Sequence, residues 1–114
     1  MELNAARIRQ EVASWEGVTA HAHRFGGVEF RLGRRELGHL HGDALADLPF
    51  TRGIRDMLVE TGRAEAHRVL PDSGWVTRRL AGDGDVEEAI ELFRLAYERA
   101  RVAAAVSASR RRTP

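Results

Sequence analysis

The stretch VTAHAHRFGGVEFRLGRRELGHLH, residues 18–41, decides the fold because short runs typical of β-strands alternate in it with glycine-containing turns. The runs VTAHAHRF, VEFRL and ELGHLH are separated by Gly26–Gly27 and by Gly33–Arg34. Both dipeptides are hairpin-turn signals. The stretch therefore predicts three consecutive antiparallel strands.

The second turn also predicts a register. With Gly33 and Arg34 as its two central residues, Phe30 faces Leu37 across the hairpin, and these apolar side chains share one face. Side chains two apart along a strand point the same way, so His39 and His41 are expected on that core face as well. The same counting through the first turn adds two further histidines to the face, His21 and His23. A loop one residue longer would turn a pair to the other side.

Helical patterns flank the strand-rich stretch. The first is predicted to begin at the capping residue Asn4, the second near Pro49–Thr51 after an irregular loop, and the third at Asp85. A second hairpin, EAHRVL and WVTRRL, turns at Pro71–Gly74 and pairs Val69 with Val76. The order α-βββ-α-ββ-α predicts an α+β fold, a two-layer sandwich with a single antiparallel five-stranded sheet backed by helices.

Length and composition limit the function classes. A chain of 114 residues, 43% of them hydrophobic, fits one domain, expected at residues 1–106 with a disordered basic tail at 107–114. The chain has no cysteine, which excludes disulfides, thiolate nucleophiles and zinc–thiolate sites. No apolar run is long enough for a membrane span, and the N-terminus lacks a signal-peptide pattern. We therefore expect a cytoplasmic protein with no membrane partner.

The charge argues against nucleic-acid binding by the folded part. All 18 basic residues are arginines, and three of them form the terminal cluster Arg110–Arg112. The other 15 arginines face 17 acidic residues, a net charge of −2. Proteins that neutralise many phosphates carry the opposite excess. Weak nucleic-acid binding through the tail stays an alternative.

Four motifs carry a family resemblance that spans about residues 5–100. They are HRFGGVEFRLGRRELGHLHG (23–42), DLPF (47–50), LPDSGW (70–75) and RLAYERA (94–100). In this order they resemble the luciferase-domain family of small bacterial proteins, a domain of unknown function. They are similar, more loosely, to MmcQ/YjbR-like domains. The resemblance implies a single antiparallel sheet backed by helices and no established reaction.

The family name does not imply flavin chemistry here. Flavin-dependent bacterial luciferases use a (β/α)₈ barrel, which takes about 250 residues. The sequence also has no G-x-G-x-x-G fingerprint, so neither a flavin nor a nicotinamide motif is present. The cofactor is unknown, with a divalent metal as one hypothesis.

The metal hypothesis rests on the spacing His39-x-His41-x-Asp43. Alternate residues of a strand share a face, and imidazole with carboxylate suits zinc, iron or manganese. His21 and His23 would complete the ligand set if they share that face. The alternative is that these histidines are structural and bond to neighbouring groups.

A metal-free ligand pocket is the other hypothesis. Its expected members are His39, His41, His67, Asp72, Ser73 and Trp75. Trp75 offers a stacking surface, and the turn residues offer oxygens. In the alternative interpretation, the turn residues bond to their own backbone and the tryptophan packs.

Three function classes follow. The first is a domain that binds an unknown small molecule or protein without catalysis, because no nucleophile, base and oxyanion donor can be assembled from the sequence. The second is a small metal-dependent enzyme that uses the histidines. The third is a weak nucleic-acid-binding protein. An uncovered sheet face or edge would also allow a homodimer.

Overall fold

The structure, a computed structural model, describes residues 3–112 apart from the side chain at position 25. The helices are α1 (Asn4–Val12), α2 (Arg52–Glu60) and α3 (Asp85–Arg112). The strands are β1 (Val18–Ala22), β2 (Val28–Leu32), β3 (Arg35–His41), β4 (Leu45–Pro49), β5 (Glu65–Ala66) and β6 (Trp75–Arg79). None of the helices in the described part combines the length and apolarity that a membrane span requires.

The strands form one antiparallel sheet in the order β1-β2-β3-β4-β6-β5. An α+β fold with a single antiparallel sheet and three helices is therefore confirmed, but the predicted number of five strands is wrong. The sixth strand is β4, which was expected to be a loop. Four of its five residues, Leu45 to Leu48, are buried, so the strand lacks the alternation of polar and apolar residues that marks a half-exposed strand.

A β-bulge in β3 changes the predicted register. The turn at Gly33–Arg34 pairs Leu32 with Arg35 as expected, but the ladder then shifts so that Phe30 pairs with Gly38 instead of Leu37. A bulge adds one residue to one strand, and side chains beyond it point to the opposite face. The prediction that His39 and His41 face the core is therefore wrong, and they lie on the other face.

Gly38 makes the bulge sterically possible. Its φ is +148°, and a Cβ atom there would lie 2.8 Å from the carbonyl oxygen of Asp47 and 2.8 Å from Cε1 of Phe93. Only glycine fits here, because L side chains rarely adopt this backbone conformation and a methyl group would overlap both neighbouring atoms.

The first turn is longer than two residues. A short 3₁₀ helix, Arg24–Gly26, connects β1 to β2, and His21 pairs with Glu29. The predicted pairing of His23 with Phe30 is wrong, because His23 lies beyond the end of β1. His21 nevertheless shares a sheet face with His39, because both pair with Glu29.

The second hairpin is mostly a loop. β5 has only two residues, and Ala66 rather than Val69 pairs with Val76. Val69 is 72% exposed, so it does not belong to the core. Arg55 of α2 donates from Nη1 to the carbonyl oxygens of Pro71 and Ser73, each at 2.8 Å. These bonds hold the 67–74 loop in place.

The helices pack on the face that carries the apolar strand side chains. Phe30 of β2 meets Phe93 of α3 edge to face, with ring centroids 5.3 Å apart, and the buried core joins residues from all three helices to the sheet. α3 is continuous for 28 residues, so positions 107–112 are helical where a disordered tail was expected. Arg110–Arg112 form its last turn, where positive charge complements the helix dipole.

Replacing Gly38 tests the bulge. We expect Gly38→Ala to lower the free energy of unfolding by about 2 kcal/mol, because it combines backbone strain with a clash against β4 and Phe93. Urea unfolding measures this change. The control is Gly53→Ala in α2, where a Cβ meets nothing within 4 Å and stability should hold or rise by up to about 1 kcal/mol. Equal effects of the two substitutions would contradict the role given to Gly38.

Candidate functional site

A row of polar residues crosses the sheet on the face away from the core. Each strand contributes one residue to the row, and each pairs directly with the next across the ladder. In strand order the row is His21, Glu29, His39, Asp47, Thr77 and Glu65. The two central strands bring His39 and Asp47 side by side. The register of the sheet alone therefore concentrates titratable groups on this face.

Asp47 lies at the centre of the site, and its side chain is 1% exposed. Its Oδ1 accepts hydrogen bonds from Oγ1 of Thr77 at 2.6 Å and from Nη1 of Arg68 at 3.2 Å. Its Oδ2 faces the Nε2 atoms of three histidines, at 2.9 Å for His41, 3.4 Å for His67 and 3.5 Å for His39. Nη1 and Nη2 of Arg68 also lie 3.4 Å from Oδ2, so the guanidinium contacts both oxygens, and the imidazoles face Oδ2 alone.

The surroundings of Asp47 keep it ionised. Burial raises the pKa of Asp47 and is the largest single influence on it. The hydrogen bonds from His39, Thr77 and Arg68 and the positive charge of Arg68 all lower the pKa, and together they outweigh burial. The pKa of the Asp47 carboxyl is therefore held well below its usual range. A buried anion of this kind is stable only while its donors stay in place.

His39 lies between two carboxylates. Its Nδ1 is 2.6 Å from Oε2 of Glu36, and its Nε2 faces Asp47. Burial alone would lower the pKa of His39, but hydrogen bonds and charges from the two carboxylates outweigh it and raise the pKa to about 9. His39 is therefore an imidazolium at neutral pH in the metal-free protein.

His41 differs from its neighbour. Burial lowers the pKa of His41, and the positive charges of His39 and Arg68 add to this effect against the pull of Asp47. Its side chain is 33% exposed, more than those of His39 and His67. The site therefore presents a neutral, accessible imidazole next to a charged, shielded one.

The 67–74 loop fixes the ring of His67. Its Nδ1 accepts hydrogen bonds from the backbone N–H groups of Val69 at 3.2 Å and Leu70 at 3.1 Å. A nitrogen that accepts in this way carries no proton, so the proton of a neutral ring lies on Nε2. His67 therefore donates toward Asp47.

Aromatic rings surround the carboxylate. His23 stacks on His39 with ring centroids 4.2 Å apart, and His41 meets His39 edge to face at 4.8 Å. Trp75 lies 5.4 Å from the His39 ring and 6.1 Å from the His67 ring. Four of the five histidines thus converge.

The structure separates the residues of the expected ligand pocket into two groups. It brings together His39, His41, His67 and Trp75, as the preceding distances show. Asp72 is exposed in the turn of the loop. Oγ of Ser73 donates to the carbonyl oxygen of Leu70 at 2.6 Å and accepts from the N–H of Trp75 at 3.1 Å. Ser73 therefore shapes the loop, as the alternative interpretation expected.

The expected metal ligands are also divided. Among the described residues, the group that could hold a metal ion is His39, His41 and Asp47, with ligand atoms within 4.8 Å of one another. Asp43 is not in this group, because its Oδ1 accepts from the N–H of Ala5 at 2.8 Å, at the start of α1. Two further histidines have other partners: His21 bonds to Oγ1 of Thr19 at 2.8 Å, and His23 to Oε1 of Glu29 at 3.2 Å.

Sequence reasoning missed four central residues. Asp47 was placed in a loop, although it begins the DLPF motif, and Glu36, Arg68 and Thr77 were not assigned to the site. The position of the DLPF motif soon after His39 and His41 could have pointed to Asp47. The residues of β4 would first have had to be recognised as a strand, and burial on both faces removes the alternating pattern that marks one.

The pH dependence of stability tests the charge of His39. A histidine whose folded-state pKa is raised stabilises the fold fully below its unfolded value of about 6.5, and this stabilisation is lost as pH rises through about 9. We expect the free energy of unfolding to fall over this interval in chelator-treated buffer. Urea titrations should show a smaller fall for His39→Gln and an unchanged one for His21→Gln. Equal pH dependence in all three proteins would contradict this assignment.

Removing the charge of Asp47 tests its central role. We expect Asp47→Asn to lower the free energy of unfolding by about 3 kcal/mol, because buried donors lose their anion. The matched control is Asp56→Asn, whose side chain is 61% exposed and pairs with Arg55 at the surface, where an ion pair contributes about 0–1 kcal/mol. Denaturant unfolding at neutral pH distinguishes the two. A change of similar size in both variants would contradict the proposed role of Asp47.

The chain matches one family model. The model of the Luciferase domain matches residues 34–96, which is more than half of the chain and includes β3, β4 and the 67–74 loop. Comparison with curated proteins and with solved structures found no match. The match includes every residue that contacts the Asp47 carboxylate. The chain therefore belongs to the Luciferase-domain family.

Proposed function

We propose that the protein binds a small, planar, polar molecule on the histidine-rich face of its sheet. The single observation that carries this proposal is the convergence of three imidazoles on one buried carboxylate, with a fourth imidazole and an indole packed against them. The attraction within such a cluster is largely offset by the water that its charged groups lose. Replacing buried ionic groups by apolar ones is therefore often neutral or stabilising. The presence of the cluster on a sheet face that the 67–74 loop covers only in part is best explained by a ligand.

The exposed members of the cluster suggest how the ligand is held. The side chains of Arg68 and His41 are 41% and 33% exposed, so they can reach a bound molecule. Trp75 is half-buried beside His39 and offers a ring for stacking. The donors and ring faces together favour a planar molecule with acceptor oxygens.

A small metal-dependent enzyme is the second candidate. It is favoured by the group formed by His39, His41 and Asp47, which offers two imidazoles and a carboxylate to one ion. Protein sites with three ligands leave positions open for water or substrate. The same face would then hold both the ion and the molecule on which it acts.

Nucleic-acid binding is the weakest candidate. Arg110–Arg112 form the last turn of α3, and three charges supply little affinity at physiological salt. The proposal also does not extend to flavin-dependent luminescence, because the sheet is antiparallel and not a parallel (β/α)₈ barrel. A cytoplasmic location remains part of the proposal.

The two tryptophans allow a direct test. Trp15→Phe leaves Trp75 as the only tryptophan, at the site, and Trp75→Phe leaves Trp15, which packs 5.3 Å from Tyr97 on the helix side. Each single-tryptophan protein is titrated with a library of polar aromatic fragments, once with chelator and once with Zn²⁺. We expect fragments that change the Trp75 emission with dissociation constants below about 1 mM and leave the Trp15 emission unchanged.

Two further variants locate the binding. Arg68→Gln and His41→Gln should weaken the fragments that change Trp75 emission, and His21→Gln should not, because His21 bonds to Thr19 away from the cluster. A library without effect on Trp75 in either buffer would contradict the proposal. So would fragments that act equally on both tryptophan reporters.

A further inference from the structure

The two carboxylate oxygens of Asp47 have different surroundings. Oδ1 accepts the 2.6 Å bond from the Thr77 hydroxyl and the shorter of the two contacts from Nη1 of Arg68. Oδ2 faces three imidazole nitrogens at 2.9, 3.4 and 3.5 Å, and it also lies 3.4 Å from Nη1 and from Nη2 of Arg68. The shortest bonds from the scaffold thus go to Oδ1, and Oδ2 is the oxygen that a monodentate contact to an ion would use.

The spacing of the ligand atoms suits a transition metal ion. Metal–nitrogen and metal–oxygen distances of about 2.0–2.1 Å place tetrahedral ligand atoms about 3.3–3.4 Å apart. Oδ2 of Asp47 lies 2.9 Å from Nε2 of His41 and 3.5 Å from Nε2 of His39, on either side of this value. Both contacts of Asp47 are therefore near the spacing of two ligands of one ion, and the ligand atoms of all three residues lie within 4.8 Å of one another.

An outer carboxylate orients one of the imidazoles. Nδ1 of His39 is 2.6 Å from Oε2 of Glu36, which leaves Nε2 as the nitrogen that faces Asp47. Histidines that bind metals commonly donate their second N–H group to a carboxylate in this way, which fixes the ring and raises its basicity as a ligand. Glu36 is thus a second, independent feature that indicates a metal site.

His67 is excluded from the ligand set by its own hydrogen bonds. Its Nδ1 accepts from the backbone N–H groups of Val69 and Leu70, so the ring cannot keep its proton on Nδ1 and free Nε2 for an ion, as His39 does through Glu36. His67 remains a donor to Asp47. The ligand set therefore has three members and leaves open coordination positions toward solvent beside His41.

We infer that His39, His41 and Asp47 bind one divalent transition metal ion of the zinc type, with Glu36 as the carboxylate that orients His39. The ion would lie on the face of the sheet away from the core, on strands β3 and β4. It would be bound by Oδ2 of the aspartate and by Nε2 of both histidines, whose Nε2 protons would be released to solvent on binding. This inference is independent of the small-molecule proposal, because the ion needs only side chains of the chain itself.

Cobalt titration tests the inference. The full chain, without a histidine tag, is stripped with chelator and titrated with Co²⁺, whose visible absorption reports protein ligands. Bound Co²⁺ is then displaced with Zn²⁺, and the metal content is measured by elemental analysis. We expect one ion per chain, and a rise in melting temperature when Zn²⁺ is added.

Matched histidine variants identify the ligands. His39→Gln and His41→Gln should each weaken Co²⁺ binding at least about 100-fold, and Glu36→Gln about 10-fold. His21→Gln, which lies in the same polar row but bonds to Thr19, should change binding less than about 10-fold. Circular dichroism confirms that each variant is folded before titration.

Three outcomes would overturn the inference. They are the absence of stoichiometric Co²⁺ or Zn²⁺ binding by the folded wild-type chain, unchanged affinity in His39→Gln and His41→Gln, and an equal loss of affinity in His21→Gln. The failure of this inference is distinguishable from that of the small-molecule proposal, since fragment binding to the Trp75 reporter is measured in chelator as well as in Zn²⁺.

Discussion

The ionised carboxylate of Asp47, buried in the middle of a six-stranded sheet, is the constraint on which the other features of the site depend. Removing an anion from water costs several kcal/mol, so the chain must surround it with donors. Thr77 supplies one from the neighbouring strand, and Arg68 and His67 supply others from the loop that covers the face. The ordered conformation of the 67–74 loop and the negative charge of Asp47 therefore depend on each other.

The bulge at Gly38 lets β3 place leucines on the core face of the sheet and histidines on the opposite face. Leu37 in the bulge and Leu40 after it both reach the core, although they are three positions apart. His39 and His41 consequently point to the opposite face, toward Asp47. A regular strand would have placed the same histidines among apolar side chains, where their polar atoms lack partners. Gly38 therefore determines on which face of the sheet the histidine site lies.

Membership of the Luciferase-domain family and the geometry of the site give complementary information. The family match spans β3, β4 and the covering loop, which carry the central carboxylate and its donors. The geometry supplies what a family description does not: which oxygen of Asp47 is anchored, and which imidazoles differ in charge. The binding and metal proposals both rest on positions in the structure, since His41 is accessible and His39 lies between Glu36 and Asp47.

The sequence by itself determined the fold class, the three helices, most of the strands and the turn at Gly33–Arg34, because these follow from local periodicity and turn chemistry. It also singled out His39, His41, His67 and Trp75. Only the tertiary structure decided the face on which they meet and the carboxylate that unites them. The bulge depends on the close approach of β4 and α3 to Gly38, and β4 is hidden by burial on both faces. Such contacts join residues far apart in the chain, and local pattern does not encode them.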